Sequence, residues 1–401
     1  MPSFERILLI RPSALGDVCR TVPVLASLRR GNPGARIDWV VNEAYVDAIA
    51  HHPALTAAIP FPRARFAKFW RSPALATEIW RWAVALRRTR YDLVIDCQGL
   101  GRSGLIAWAT GSRLRVGYAD AREAGWLGYN RRVEVPRTLH AVDRMLALAV
   151  AADSAPQVGR RAEPTRAAGQ PQADEHRAIR PVAAVPQEDV RLAVPPAGAA
   201  WLQRYRRQID LAAEEPYAVL APTARWMAKR WPAAHWAKLA GPLVERGFSR
   251  IFLIGSQSER TQVGEALPPP PLRNAVVNLV GRTNLRATMA LIAGAALVVA
   301  NDSAPLHIAV GFDRPLVGLF GPTDPDLVGP YGRREWVIRP PLDDDAPGLS
   351  FKDPAAARIM EAISVREVVA MIDRVLADRA GVAAATATAV IGTAGDEGSR
   401  A

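Results

Sequence analysis

Short apolar runs alternate along the first part of the chain with helix-like stretches. "RILLI" reads as a buried strand, followed by a helix from about Val18 to Arg30, a strand "RIDWVV" and an apolar strand "YDLVIDC" that ends at Cys97. The basic, tryptophan-rich segment from Arg63 to Arg90 is expected to form one or two helices. A second alternating block starts near Tyr217 with "YAVLAP". It continues through a helix around "AAHWAKLAGPLVERG", a strand "RIFLIG", a helix "RATMALIAGA" and the strands "LVVAN" and "PLVGLFG". Strands alternating with helices predict a parallel sheet covered on both faces, and here the pattern occurs twice. The last apolar-periodic helix is expected over about Ser364 to Ala377.

Between the blocks the apolar period vanishes. The stretch after Val150 is dominated by Pro, Ala, Gln and Arg, the signature of a disordered linker. The expected organisation is an α/β chain with one doubly wound domain over 1–150, a linker over 151–200, a second doubly wound domain over 201–378 and a disordered tail over 379–401. In open α/β sheets ligands bind outside the carboxyl ends of the strands, so a crevice between two such domains is the expected active site.

Length and composition agree with two domains: the chain has 401 residues, 49% hydrophobic and 22% charged. The apolar run at the start is four residues long, and "MALIAGAALVVA" is about half the length a bilayer requires, so neither a signal peptide nor a membrane span is expected. Cys19 and Cys97 are the only cysteines and lack metal-ligand spacing, which points to a reducing, cytoplasmic setting. The net charge of +12 is uneven. Residues 1–150 hold 22 Lys/Arg against 12 Asp/Glu, a net of +10, leaving +2 for the remainder. Such a field attracts anionic partners: nucleic acid, an anionic membrane surface or an acidic glycolipid.

Five motifs can carry chemistry. In "RPSALGDV" Gly16 allows a tight turn, and Asp17 either faces the crevice or caps the following helix. In "QGLGRSG" the glycines 99, 101 and 104 match a dinucleotide fingerprint, with Asp120 as the acidic partner, or serve backbone packing. "APTARWMAKRWP" places Thr223, Arg225, Lys229 and Arg230 on a strand-to-helix loop, either binding phosphate or simply solvated. In "NDSAPLHIAVG" Asp302 or Ser303 caps a helix whose N-terminus suits a diphosphate, and His307 sits one turn in as ligand or packing residue. "VGLFGPTDP" is a strand running into a turn.

Taken in order, "SALGDV", "DCQGL", "KRWP", "NDSAPLHIAV" and "LFGPTDP" resemble the bacterial lipopolysaccharide heptosyltransferases of glycosyltransferase family 9, and the "SALGDV" form resembles their type I branch. The resemblance covers about residues 5–150 and 210–375. It implies a GT-B fold, two Rossmann-like domains facing a central cleft, with acceptor on the N-terminal domain and sugar nucleotide on the C-terminal one. It implies inverting transfer of L-glycero-D-manno-heptose from ADP-heptose to the Kdo of Kdo-lipid A, at the cytoplasmic face of the inner membrane, with neither cofactor nor bound metal.

By the same resemblance Asp17 is the general base, and Lys229 with Thr223 binds the diphosphate. Arg225 joins the donor-binding loop, Asp302, Ser303, Ala304 and His307 hold the donor, and Glu259 in "GSQSER" matches a residue contacting the ribose. Arg63, Arg65, Lys68, Arg102, Arg122 and His140 correspond to basic positions used for Kdo carboxylates and lipid A phosphates. Single displacement with inversion needs one base on one side and stabilisation of the departing diphosphate on the other, which these assignments supply. Three rivals stand beside this reading: a relative that uses another heptose, rhamnose or similar nucleotide sugar on a different acceptor, a nicotinamide-dependent oxidoreductase built on "GLGRSG", and a basic nucleic-acid binder, whose affinity depends strongly on salt.

Overall fold

The run "RILLI" forms β1 (Arg6–Ile10) at the centre of the first sheet. Ile7 to Ile10 have no exposed surface, as expected of a parallel strand paired on both sides and covered on both faces. The computed structural model describes residues 4–68, 70, 72–154, 185–341 and 354–394. They fall into two units, Met1–Ala193 and Val194–Ala401.

In the first unit β1 leads to α1 (Leu15–Gly31), β2 (Arg36–Asn42), β3 (Ala57–Phe61), the single turn α2 (Arg63–Phe66), α3 (Pro73–Arg88) and β4 (Leu93–Asp96). Then come α4 (Gly101–Ala109), β5 (Leu114–Tyr118), β6 (Arg131–Val133) and α5 (Ala141–Asp153). The sheet order is β3-β2-β1-β4-β5-β6, all parallel, with Ile7 opposite both Ile37 and Leu93. The order reverses between β1 and β4, so the loops leaving Ile10 and Asp96 flank the switch point where a doubly wound sheet opens to ligand. Right-handed crossovers put α1 and α5 together on one face and α3 and α4 on the other.

The second unit runs α6 (Pro196–Gln208), β7 (Tyr217–Ala221), α7 (Ala233–Lys238), α8 (Ala240–Glu245), β8 (Arg250–Leu253), β9 (Val276–Asn278) and α9 (Leu285–Ala293). It continues with β10 (Leu297–Asn301), α10 (Ala304–Gly311), β11 (Leu316–Leu319), α11 (Pro325–Val328), β12 (Val337–Ile338), α12 (Pro354–Glu361) and α13 (Val365–Ala394). Its parallel sheet, β12-β11-β10-β7-β8-β9, has its switch point between β7 and β10. Two doubly wound halves are the α/β architecture expected of a GT-B chain.

Several elements depart from the expected ones. The helix around "AAHWAKLAGPLVERG" is two short helices meeting at Leu239, because Pro242 has no N–H with which to continue the ladder. Residues 155–184, most of the expected linker, lie outside the described residues. Its ends are structured: α5 runs to Asp153, and a 3-10 turn at Gln187–Val190 packs on α1, where both carboxylate oxygens of Asp189 accept from Arg30 at 2.6 Å. Val190 and Leu192 are buried there, and α6 already begins at Pro196, so the Pro-rich composition hid short segments anchored by a few apolar side chains. The expected disordered tail from 379 is instead the continuation of α13 through Ala394, in keeping with the high helix propensity of its alanines. Residues 395–401 lie outside the described residues.

Candidate active site

In the first unit the β1–α1 turn builds the site. Asp17 is the third residue of α1, and its carboxylate accepts from the Ala14 N–H at 3.1 Å, so it caps the helix as one of its two expected duties. It also faces two cations. Arg11, the residue after β1, reaches it at 3.0 Å, and Arg20, one turn along α1, binds its other oxygen. Burial alone would raise the Asp17 carboxyl, but Arg11, Arg20 and the Ala14 amide outweigh it and hold the group well below the usual carboxylate range. Asp17 keeps 24% of its side chain exposed, so the anion is both stabilised and reachable.

The switch-point loops support this turn. Arg11 also donates to the carbonyl of Cys97, and the Gln98 side chain accepts from the Ser13 N–H at 3.1 Å, tying the β4–α4 loop to the turn before Asp17. That loop is anchored below by Asp96, which is fully buried. Asp96 accepts from the amides of Gln98 and Gly99 at 2.8 and 3.3 Å and from the Tyr129 hydroxyl at 2.5 Å. Burial pushes its carboxyl up, against those donors. The sequence reading missed the parts played by Arg11, Arg20, Asp96 and Gln98. The available signals were an Arg at each side of "SALGDV", one of them three residues along the same helix, and an Asp closing a strand.

Of the predicted acceptor residues, the structure brings Arg63 to the site, where its guanidinium donates to Ser13 Oγ at 3.4 Å. Arg102 is exposed in the first turn of α4, and the Arg122 N–H donates to Gly99 O at 3.0 Å, so both flank the β4–α4 loop. Arg65 is paired with Glu78 at 2.7 Å, His140 caps α5 by accepting from the Val142 N–H at 3.1 Å, and Lys68 is exposed just past α2. The fingerprint glycines serve packing. A Cβ on Gly101 would lie 2.5 Å from Glu123 O and one on Gly104 2.2 Å from Gly125 O, so this chain's own backbone fills the space beside them. Asp120 is engaged by Arg137 and Arg144.

In the second unit the predicted residues gather at the switch point of β7 and β10. Asn301, fully buried at the end of β10, donates to Pro222 O at 2.9 Å and accepts from the Trp231 N–H at 3.2 Å, stapling the 222–231 loop to the sheet. That brings Lys229 Nζ to 2.5 Å from Asp302 Oδ2, a pair with 18% and 8% of their side chains exposed. Thr223 donates to Glu259 Oε2 at 3.0 Å, and the same oxygen accepts from the Ser256 N–H and hydroxyl at 2.8 and 2.7 Å. Ser303 is the N-cap of α10, and its hydroxyl donates to Asn301 O, which leaves the first amide of the helix, on Ala304, clear of a side-chain cap. His307 is buried on α10, and Arg225 stacks on Trp226 with 5.2 Å from guanidinium to ring. A cation and a helix N-terminus side by side form a place for a diphosphate.

The glycosyltransferase family 9 (heptosyltransferase) model matches residues 79–347. Lipopolysaccharide heptosyltransferase 1 of Pseudomonas aeruginosa is 32% identical over 335 residues, covering 82% of this chain and 82% of that protein. Lipooligosaccharide heptosyltransferase 2 of Haemophilus influenzae is 30% identical over 346 residues, covering 83% and 88%. Among solved structures, E. coli heptosyltransferase WaaC with ADP superposes with a TM-score of 0.65 at 25% identity, over 92% of this chain and 99% of that one.

Proposed function

The chain belongs to glycosyltransferase family 9, the heptosyltransferases, and from that premise we propose that it moves L-glycero-D-manno-heptose from ADP-heptose to the Kdo of Kdo-lipid A with inversion. The observation that carries the reading is Asp17: one reachable carboxylate at the switch point of the first sheet, gripped by Arg11 and Arg20. In this reading Asp17 takes the acceptor hydroxyl proton as the oxygen attacks the anomeric carbon. The bond from that carbon to the ADP oxygen breaks, and its electron pair leaves with the diphosphate. Lys229 and the α10 N-terminus meet the charge that develops there. Thr223, Arg225, Glu259, Asp302, Ser303, Ala304 and His307 are assigned to the donor, and Arg63, Arg65, Lys68, Arg102, Arg122 and His140 to the acceptor.

A carboxylate held this low is ionised at every working pH but is a weak base. The same two arginines that depress it are suited to an acidic acceptor: when the Kdo carboxylate takes over part of their hydrogen bonding, Asp17 loses cationic stabilisation and becomes more basic only with acceptor in place. This gives the paired arginines a reason that a simple helix cap does not.

The lipid-linked acceptor places the reaction at the cytoplasmic face of the inner membrane. Among the described residues no helix is long and apolar enough to cross a membrane. Incubating the protein with ADP-heptose and Kdo-lipid A, then reading the anomeric configuration of the product by NMR, tests the reading. A new α-linked heptose with release of ADP is expected if the donor sugar is β-linked. Retention of configuration, or transfer only from another nucleotide sugar, would overturn it.

A further inference from the structure

Among the described residues eight large apolar side chains stand exposed, and five of them fall between residues 70 and 127. Four stand on α3, on α4 and on a turn packed against α4. On α4 the exposed positions recur every third residue, Arg102, Leu105 and Trp108, with the last two 63% and 61% exposed. A 3-10 turn, Gly125–Gly128, packs backbone to backbone against Gly104, which sets Leu127, 63% exposed, alongside this stripe. Helix α3 lies against α4, with Arg87 packed at Gly111 just beyond the α4 end, and buries only Leu86 fully. Its Trp82 turns inward onto Phe61 and Phe66, whereas Trp80, 64% exposed, faces away from that cluster with Arg81 and Arg88.

We propose that this α3–α4 face docks on an anionic lipid bilayer surface. It is made from two helices and a turn, and its arginines are interleaved with the apolar residues, whereas a protein interface keeps charge at its rim. Tryptophan and arginine both suit the headgroup layer, the ring by its amphipathic body and the arginine by its long stem. The net +10 of residues 1–150 complements anionic lipid. A few inserted side chains or a basic patch alone bind membranes weakly, and the two together give stable attachment. The stripe starts at Arg102, beside the β4–α4 loop of the candidate site, so docking brings that loop to the bilayer. This deepens the functional reading above by naming the surface that meets the membrane. The test needs neither donor nor acceptor, so either can fail alone.

The full chain is sedimented with vesicles of phosphatidylglycerol and phosphatidylethanolamine, and separately with phosphatidylcholine vesicles, while tryptophan emission is recorded. Wild type is expected to bind the anionic vesicles with a blue shift and to bind the neutral ones roughly tenfold or more weakly. The double variants Trp80→Ser/Trp108→Ser and Arg81→Glu/Arg88→Glu are each expected to lose roughly tenfold or more in binding while keeping wild-type ADP affinity, which shows that they are folded. Wild type that ignores anionic vesicles overturns the proposal. So do double variants that bind as well as wild type, equal binding to neutral vesicles, or a wild-type dimer that Trp108→Ser dissociates. If vesicle binding behaves as expected but no heptose is transferred to Kdo-lipid A, the docking surface stands and the reaction assigned above falls.

Discussion

At the residue scale, Asp17 shows how one carboxylate can cap a helix and still serve chemistry, because its two oxygens are shared among an amide and two guanidiniums. Its pH behaviour follows from the sign of the shift. The folded value is depressed below the unfolded one, so its contribution to stability is present above roughly pH 4 and is lost as pH falls through the folded value. For activity, Asp17 is expected to stay ionised in the free protein throughout the neutral range, so an acid limb of kcat/KM due to it lies far below neutrality. Arg20→Gln removes one of its cations, and the Asp17 carboxyl, followed by carboxyl carbon NMR, is expected to titrate at a higher pH than in wild type. A carboxyl titration unchanged by that substitution argues that Arg20 does not tune the carboxylate. In the second unit, Lys229→Ala takes the cation from the Asp302 carboxylate and from the leaving group. We expect kcat to fall by roughly 10²–10³ and ADP binding by titration calorimetry to weaken. That Asp17 and Lys229 stand just past the central strands was legible from sequence because their motifs are contiguous. Arg11 and Arg20 were not, since nothing in a linear reading says that two arginines flanking an aspartate converge on it rather than point to solvent.

At the element scale, the strongly apolar central strands and the helices that follow them were legible, and the weaker edge elements were not. "RILLI", "YAVLA" and "LVVAN" are continuous apolar runs because both faces of those strands are covered. The outer strands β3, β5, β6, β9 and β12 are short or interrupted by proline, arginine or glycine, and their identity comes from pairing with a neighbour that the local pattern does not reveal. The glycine motif "GLGRSG" was ambiguous for the same reason: its two meanings differ only in what lies beside α4. With the 123–128 backbone against it, Gly104 tolerates no side chain, and Gly104→Ala is expected to destabilise the first unit by about 1–3 kcal/mol. Thermal unfolding measures this. A stability equal to wild type would mean that the turn yields easily and that the glycine has another purpose.

At the scale of the whole molecule, the reading proposed above assigns the two units different halves of one reaction. The first holds Asp17 and most of the positive charge, and the second holds Lys229 beside the N-terminus of α10. The division predicts that substitutions in one unit leave the ligand of the other untouched. It follows from two copies of a doubly wound pattern in the sequence, each with a motif after its first central strand, and so was legible early. What the linear pattern lacked was the folding of the linker's ends, which depends on side chains such as Asp189 finding a partner, Arg30, more than a hundred residues away.

The most direct test of the account is turnover of ADP-heptose with Kdo-lipid A by wild type and Asp17→Asn, together with ADP affinity for each. The account predicts a loss in kcat of roughly 10²–10⁴ with ADP affinity unchanged. Turnover in Asp17→Asn equal to wild type would contradict it.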